Sequence, residues 1–451
     1  MKKEVYKKIW AIAWPLIIAN SFWNLQLTID RIFLGGFSTE ALGAAMAVMG
    51  VFWVPMALLQ QTAAYVTTFV AQFFGAKKEH KIASSLWQSI YISIIGGILF
   101  FALNFFSKPF FEFVGHSDNI QKLEIIYYNA LSFSALPTAL VAAISGFFTG
   151  LGLSRQVIGI NLIGLLFNVI LDYCLISGNL GFDAYGIAGA GYATALATYC
   201  AVIYGIYLLL THKKVKRYNL FQSIKLDLKL MKKFIRYGIP SGFQWALEGL
   251  AFTVFLIMMG NLKNGDVALS SSSISVTIML LAVLPAMGVA QAVLTLVGQK
   301  MGEKQPEQAQ EYTWGGVQIS FVYILTVALS FIVFPEFYLS WFKNEANPVL
   351  WLEVSNTVPT LLMIVGAFTI LDSMYLNISF ALKGAGDTKF VSLMALIIPW
   401  PFMVFPTYML KSHSNALILS WISVLFYVTI INAILFIRFK RGYWKTIDMV
   451  H

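Results

Sequence analysis

The run from Asn161 to Ser177 reads NLIGLLFNVILDYCLIS, too apolar for a solvated helix face. Its polar members Asn161, Asn168 and Asp172 are spaced i, i+7 and i+11, which places all three on one stripe of an α-helix. An ionised carboxylate at the centre of a membrane helix costs about 2.5–3.5 kcal/mol on insertion scales. Two carboxamides on the same stripe lower that cost and offer oxygens to a bound cation. Of the 21 Asp and Glu residues, only Asp30, Asp172, Glu248 and Asp372 fall well inside apolar runs, two in each half of the chain. Asn24 and Gln26 precede Asp30, and Asn168, Asp172 and Thr194 (in GAGYATALAT) could converge with it. Glu248 follows Pro240 by eight residues, and Asp372 sits in AFTILDSMYLN, with Asn377 one and a half turns further on. No Lys or Arg lies deep in a span beside these acids, except Arg31 directly after Asp30. Adjacent helix positions point about 100° apart, so Arg31 is free to snorkel to the outer surface. Such isolated carboxyls are suited to carry a proton, or to bind Na⁺ or a cationic substrate, and to make these ligands exclude one another.

These acids need an apolar scaffold, and the composition supplies one. The chain has 451 residues, 58% hydrophobic and 12% charged, which excludes an ordinary soluble protein and fits an all-α integral membrane protein. Its length accommodates about a dozen spans joined by short loops, with no room for a large soluble domain. The start, MKKEVYKKIWAIAWPL, lacks a small-residue cleavage site and its apolar run continues to about Gly35, so it reads as a first span. Cys174 and Cys200 both lie in apolar runs and form neither a metal-ligand spacing nor a disulfide framework.

Spans are expected near 9–35, 43–74, 85–111, 124–150, 157–177, 187–211, 234–262, 268–299, 312–336, 350–382, 390–410 and 415–438. Lys2 to Lys8, Lys77 to Lys81, Arg155, the cluster from Lys213 to Arg236, Lys300, Lys304, Lys383, Lys389 and Arg438 to Lys445 then share one side. The other side keeps only Arg31, Lys108, Lys122, Lys263, Lys343 and Lys411. The asymmetry places both termini in the cytoplasm and requires an even number of spans, twelve, in the cell's inner membrane. The formal net charge of +10 is a topology signal with some attraction to anionic lipid, and not a nucleic-acid surface.

The one long polar connection, 212–236, divides the spans six and six: an N-lobe over 1–211, a basic cytoplasmic linker over 212–236, and a C-lobe over 237–451. The halves echo each other. Pro15 matches Pro240, Gln72 and Gly75 match Gln299 and Gly302, and the Gly150-Leu-Gly turn matches Gly384-Ala-Gly, at offsets of 225, 227 and 234 residues. Six spans per copy give parallel repeats, two six-helix bundles related by a pseudo-two-fold axis along the membrane normal. Two such bundles about a cleft are the expected build of an alternating-access transporter. Pro15, Pro240 and four other prolines lie within spans, where they kink helices. A minority of the aromatics, 15% of the chain, could stack on flat cations.

Several chemistries are missing. There is no GxxxxGK[ST] phosphate loop, HExxH, CxxC or GxSxG, so neither ATP hydrolysis nor a recognisable enzymatic reaction is expected.

In the order of Pro15 with Asp30, the QxxGA and QxxGE loops at Gln72 and Gln299, NxxxD at 168–172, GLG at 150–152 and GAGDTK at 384–389, the chain resembles the multidrug and toxic compound extrusion (MATE) transporters over its whole length. The resemblance implies two lobes of six helices and export of organic cations driven by H⁺ or Na⁺ influx. By similarity, Asp30, Asn168, Asp172 and Thr194 match an N-lobe cation or proton site. Glu248 and Asp372 match the acids of a C-lobe cation site found in the NorM-like branch and usually lacking in the DinF-like one. Arg31 departs from the family pattern.

The expectation is therefore a cation-coupled antiporter exporting hydrophobic, often cationic organic compounds, acting as a monomer, with no cofactor besides the coupling ion. Asp30 and Asp172 would bind the ion, or Glu248 and Asp372 if Na⁺ is held there, while the helices bend at Pro15 and Pro240. The alternative is a flippase of lipid-linked oligosaccharides from the same superfamily. A membrane-embedded enzyme, receptor or channel is disfavoured, because no paired catalytic residues, external domain or re-entrant filter loop is visible.

Overall fold

The structure, a computed structural model, describes residues 2–343 and 348–450. Apolar runs with no water to satisfy their backbone must close their hydrogen bonds internally, and here they do so as helices. They are α1 (Lys2–Phe37), α2 (Thr39–Gly75), α3 (Glu79–Val114) and α4 (Asp118–Ser132 with Ala135–Gly150). Then follow α5 (Arg155–Leu175), α6 (Gly186–Thr211), α7 (Leu228–Gly260) and α8 (Gly265–Gly302). The last four are α9 (Pro306–Val333), α10 (Pro348–Ala385), α11 (Thr388–Met409) and α12 (Ala416–Lys440). Among the described residues, ten of these helices are long and apolar enough to cross a membrane unbroken. An eleventh, α4, is a pair bent by 40°. The twelfth, α1, has the length at 36 residues, but Asn20, Asn24 and Gln26 dilute its apolar run. Every expected span lies on one of the twelve, with ends displaced by a few residues.

The breaks have local causes. Pro137 has no N–H to give the carbonyl of Phe133 and its ring crowds that carbonyl, and α4 bends at Phe133–Ser134. In α11, Pro399, Pro401 and Pro406 interrupt the ladder, and Trp400–Val404 relaxes into a π-helical turn. By contrast, α1 continues through Pro15 and α7 through Pro240 as single helices.

The chain forms two compact units. The first holds Pro15–Ala246 with Gly298–Lys304 and the C-terminal residues from Met449; the second holds the start of the chain to Trp14, Leu247–Val297 and Gln305–Asp448. In the first unit, α5 packs along α6, and α4 packs against α2, α3 and α6. Small residues set the spacing: a Cβ on Gly189 of α6 would stand 2.4 Å from the Leu175 carbonyl oxygen. In the second unit, α10 packs against both α9 and α12.

The duplicated turns share local geometry. Gly152 (φ 73°) and Gly386 (φ 102°), each two residues after the matched Gly150 and Gly384, take left-handed conformations, and the two turns close on equivalent bonds. Leu153 N–H donates to Phe148 O (2.8 Å) and Asp387 N–H to Leu382 O (2.8 Å). Lys77 (φ 55°) and Lys304 (φ 58°), 227 residues apart, are both left-handed. In the first unit the Gln72 and Gln299 loops dock on each other. A Cβ on Gly75 would stand 1.9 Å from Gln299 O, and one on Gly302 would stand 2.0 Å from Gln72 O.

The polar connection is shorter as a loop than the sequence implies, since 228–236 forms the first turns of α7. Its remainder is pinned to α3. Lys81 Nζ reaches Asp227 (2.6 Å), Trp87 Nε1–H donates to Leu220 O (2.8 Å), and Val215 is fully buried. The Lys81 ammonium, hydrogen-bonded to Asp227, holds that carboxyl below its ordinary range.

Gly75→Ala and Gly302→Ala are each expected to force the docked loops apart. The cost is about 1–3 kcal/mol of overpacking, read as a lower melting temperature in detergent. Melting unchanged from wild type in both variants would contradict the reciprocal docking.

Candidate functional site

The polar stripe of α5 faces α1 within the first unit. Asn161 Nδ2 donates to Ala19 O of α1 (2.9 Å). Eleven residues further along both helices, Asp172 meets Asp30, so the two run in step over three turns. Asp172 and Asn168 are fully buried and Asp30 is 8% exposed. Asp30 interacts with Asp172 and with Asn168. Even so, Asp30 Oδ1, both Asp172 oxygens, and Oδ1 and Nδ2 of Asn168 close no well-formed hydrogen bond. Tyr127 of α4, also buried, lies within electrostatic reach of Asp30, Asp172 and Arg31. Arg31 itself is exposed, as snorkelling requires.

A buried polar atom without a partner costs on the order of 1–3 kcal/mol. Several at one point make this cluster costly to keep in the apolar interior of the unit. Thr194, expected to converge here, is half-buried on α6, the helix packed along α5, and its hydroxyl donates to Ala190 O (3.0 Å).

In the second unit Glu248 of α7 and Asp372 of α10 lie within electrostatic reach of each other, but both are half-buried. Their surroundings are better partnered. Tyr375 donates its hydroxyl hydrogen to Glu248 Oε1, and Tyr427 of α12 stands near both acids. Asn377 is engaged elsewhere, its Nδ2 donating to Ser320 Oγ (2.9 Å) and Ser373 O (2.8 Å).

One sequence expectation is overturned here. Lys383, assigned to a cytoplasmic turn, is 2% exposed inside the last turn of α10, with Nζ 4.2 Å from the Phe380 ring centroid and Glu248 in electrostatic reach. Asp372, Ser379 and Lys383 repeat on α10 the i, i+7, i+11 stripe that α5 carries. The second pair of acids therefore has a resident cation, whereas the first has only exposed Arg31. The signal was available: Lys383 precedes Gly384-Ala-Gly inside the helix, where the first half has Thr149.

Among the described residues no three His, Cys, Asp or Glu side chains converge. Each unit presents a pair. A surface groove lined by His80, Lys81, Ser84 and 225–229 lies at the linker and includes none of these acids.

Because the first pair is buried without satisfied partners, Asp172→Asn is expected to melt at or above the wild-type temperature while losing ion-linked function. Melting well below wild type would make Asp172 a structural acid. Lys383→Met removes the cation that faces Glu248 and should lower the melting temperature. The loss stays below the ~3–5 kcal/mol of a fully buried broken pair, since Glu248 is half-buried. Adding Glu248→Gln should restore part of that loss, and a double variant no better than the single would deny the coupling.

Comparison with known proteins agrees with this architecture. The MatE family model matches residues 15–174 and 240–409, one segment in each half. A probable multidrug resistance protein NorM of Listeria innocua is 25% identical, covering 88% of this chain and 85% of that protein. Its namesake in Thermotoga maritima is 25% identical over 98% of this chain and 94% of its own. Among solved structures, an outward-facing multidrug resistance MATE family transporter of the MOP superfamily superposes with a TM-score of 0.88 at 20% identity over 98% of this chain and 97% of that one. A MATE in the straight conformation gives 0.87, also at 20% identity, with the same coverage. With the family model covering well over half its length in two matched segments, the chain belongs to the MatE family of multi-pass membrane proteins.

Proposed function

We propose that the chain is a cation-coupled antiporter that exports hydrophobic, often cationic organic compounds by alternating access between its two lobes. The observation that supports this reading is the Asp30–Asp172–Asn168 cluster, buried in a helix pair with most of its oxygens in no well-formed hydrogen bond. Such a cluster gains most when a proton or cation arrives, and that gain can drive a conformational change. The names of the relatives, probable multidrug resistance proteins, supply the substrate class.

Asp30 and Asp172, with Asn168, bind the coupling ion, H⁺ or Na⁺, and α1 bends near Pro15 as they do; Pro240 gives α7 the same freedom. Glu248 and Asp372 meet the substrate's positive charge, or Na⁺. Lys383 cancels part of their charge, so a bound cation there displaces an internal one. N-lobe 1–211 and C-lobe 237–451 are the moving bodies. The substrate passes unchanged, and the chain works as a monomer, with both termini in the cytoplasm of the inner membrane as the basic loops require.

Lys383 is the one observation that favours a flippase for anionic lipid-linked sugars, because it places a basic group inside a span. Its charge is already engaged by Glu248, and a single compensated lysine makes no pyrophosphate pocket.

Ethidium export from proteoliposomes under an imposed H⁺ gradient, then a Na⁺ gradient, tests the reading with wild type and Asp172→Asn. Export under one gradient and its loss in the variant, by about 10²-fold or more, is the expected result. Export under neither gradient would remove the antiporter reading.

A further inference from the structure

The loop between α3 and α4 carries a second buried acid that the coupling site does not use. Gly115 (φ 79°) turns the chain, and His116 places Nδ1 2.7 Å from Glu124 Oε1. The His116 side chain is 44% exposed and that of Glu124 is fully buried. Glu124 Oε2 is buried without a partner. Sequence reading counted Glu124 as the edge of a span. Its side chain is as buried as that of Asp172, and the group it contacts, His116, is exposed.

Glu124 lies one turn before Tyr127 on α4. Tyr127 is three residues on, so the two side chains are neighbours on one face of α4, about 5–6 Å apart at Cβ. Tyr127 is buried within electrostatic reach of Asp30 and Asp172. Phe111, Tyr128, Leu34 and Leu131 pack round this stretch and close it to bulk water.

We propose that His116 and Glu124 are the outer entrance of a proton path that continues past Tyr127 to Asp30 and Asp172. This rests on the antiporter reading and on the loop orientation argued above, and it commits the first unit to H⁺. Imidazole takes a proton from solvent at Nε2 and releases one from Nδ1 to Glu124 Oε1, returning to its neutral tautomer. Glu124 passes a proton on from Oε2, and the Tyr127 hydroxyl takes it up as it gives its own to the aspartate pair. Charge and atoms balance, as one proton enters and one arrives. A sodium ion has no such route, since imidazole hands on protons and not metal ions. A merely structural staple would be served by a glutamine, whereas a carboxyl with one oxygen buried and empty is costly to keep.

Other titratable or charged groups on the elements packed round this end of α4 are Glu40 of α2, Lys108 and Glu112 of α3, Asp118 and Lys122 of α4, and Tyr185 and Tyr192 at α6, all exposed, with buried Tyr128. None of them is recorded in contact with Glu124.

Glu124→Gln tests the path, because the amide oxygen still accepts from His116 Nδ1–H but carries no proton. Wild type, Glu124→Gln, His116→Ala and Asp172→Asn are compared in proteoliposomes for H⁺-driven ethidium export, for equilibrium ethidium binding and for melting temperature. The expected result is a fall of about tenfold or more in the Glu124→Gln export rate, with binding and melting unchanged. His116→Ala should lower the export rate when it is measured at external pH values from about 5 to 8. Wild-type rates in Glu124→Gln across that range overturn the path, as does a rate loss matched by weaker binding or lower melting. Export driven by Na⁺ alone also overturns it but leaves the antiporter standing. No export by wild type under either gradient removes the parent reading instead.

Discussion

Two carboxyls, Asp30 and Asp172, look at each other inside an apolar helix pair with Asn168 beside them and no well-formed hydrogen bond to satisfy them. Leaving them so is unfavourable in any soluble core and worse in a membrane, where water cannot substitute. The surrounding unit holds them there. Asn161 fastens α5 to the α1 backbone three turns below, Gly189 lets α6 reach the α5 backbone, and the bent α4 brings Tyr127 within electrostatic reach of the pair. The polar cluster is therefore held in place by ordinary packing around it, and not by hydrogen bonds of its own.

The second unit solves the same electrostatic problem differently. Its acids are half-buried, and one of them, Glu248, is hydrogen-bonded by Tyr375 and has the buried Lys383 within electrostatic reach. A pair that already has a cation gains less from a second one. The halves share turns and spacing, down to left-handed residues at Lys77 and Lys304, but they have diverged in what their polar stripes carry. The scaffold recurs in both halves, and the surroundings of the two acid pairs differ in exposure, in the Tyr375 partner of Glu248 and in Lys383 where the first half has Thr149.

Glycine is decisive where backbones meet. Gly75 and Gly302 each face a carbonyl oxygen at a distance that admits no Cβ, and each belongs to a loop already matched by sequence. Their recurrence as QxxG is thus a packing requirement and not a coincidence of turn composition.

The sequence by itself determined the twelve helices, the alternation of basic loops, the duplication, and the four acids that lie in apolar runs. Each of these follows from hydropathy and from spacing along one helix, which are local properties. The stripe Asn161, Asn168, Asp172 was legible for the same reason, since a helix fixes which of its residues share a face. Tertiary structure alone decided what those faces meet. It turned Thr194 back onto its own helix, drew Lys383 into the interior at α10's end, and gave Glu248 a tyrosine partner from another helix. It also buried Glu124, which sits at a helix edge by sequence and beneath an apolar cluster in space. Burial and pairing depend on which helices become neighbours, and the period of a single helix carries no record of its neighbours.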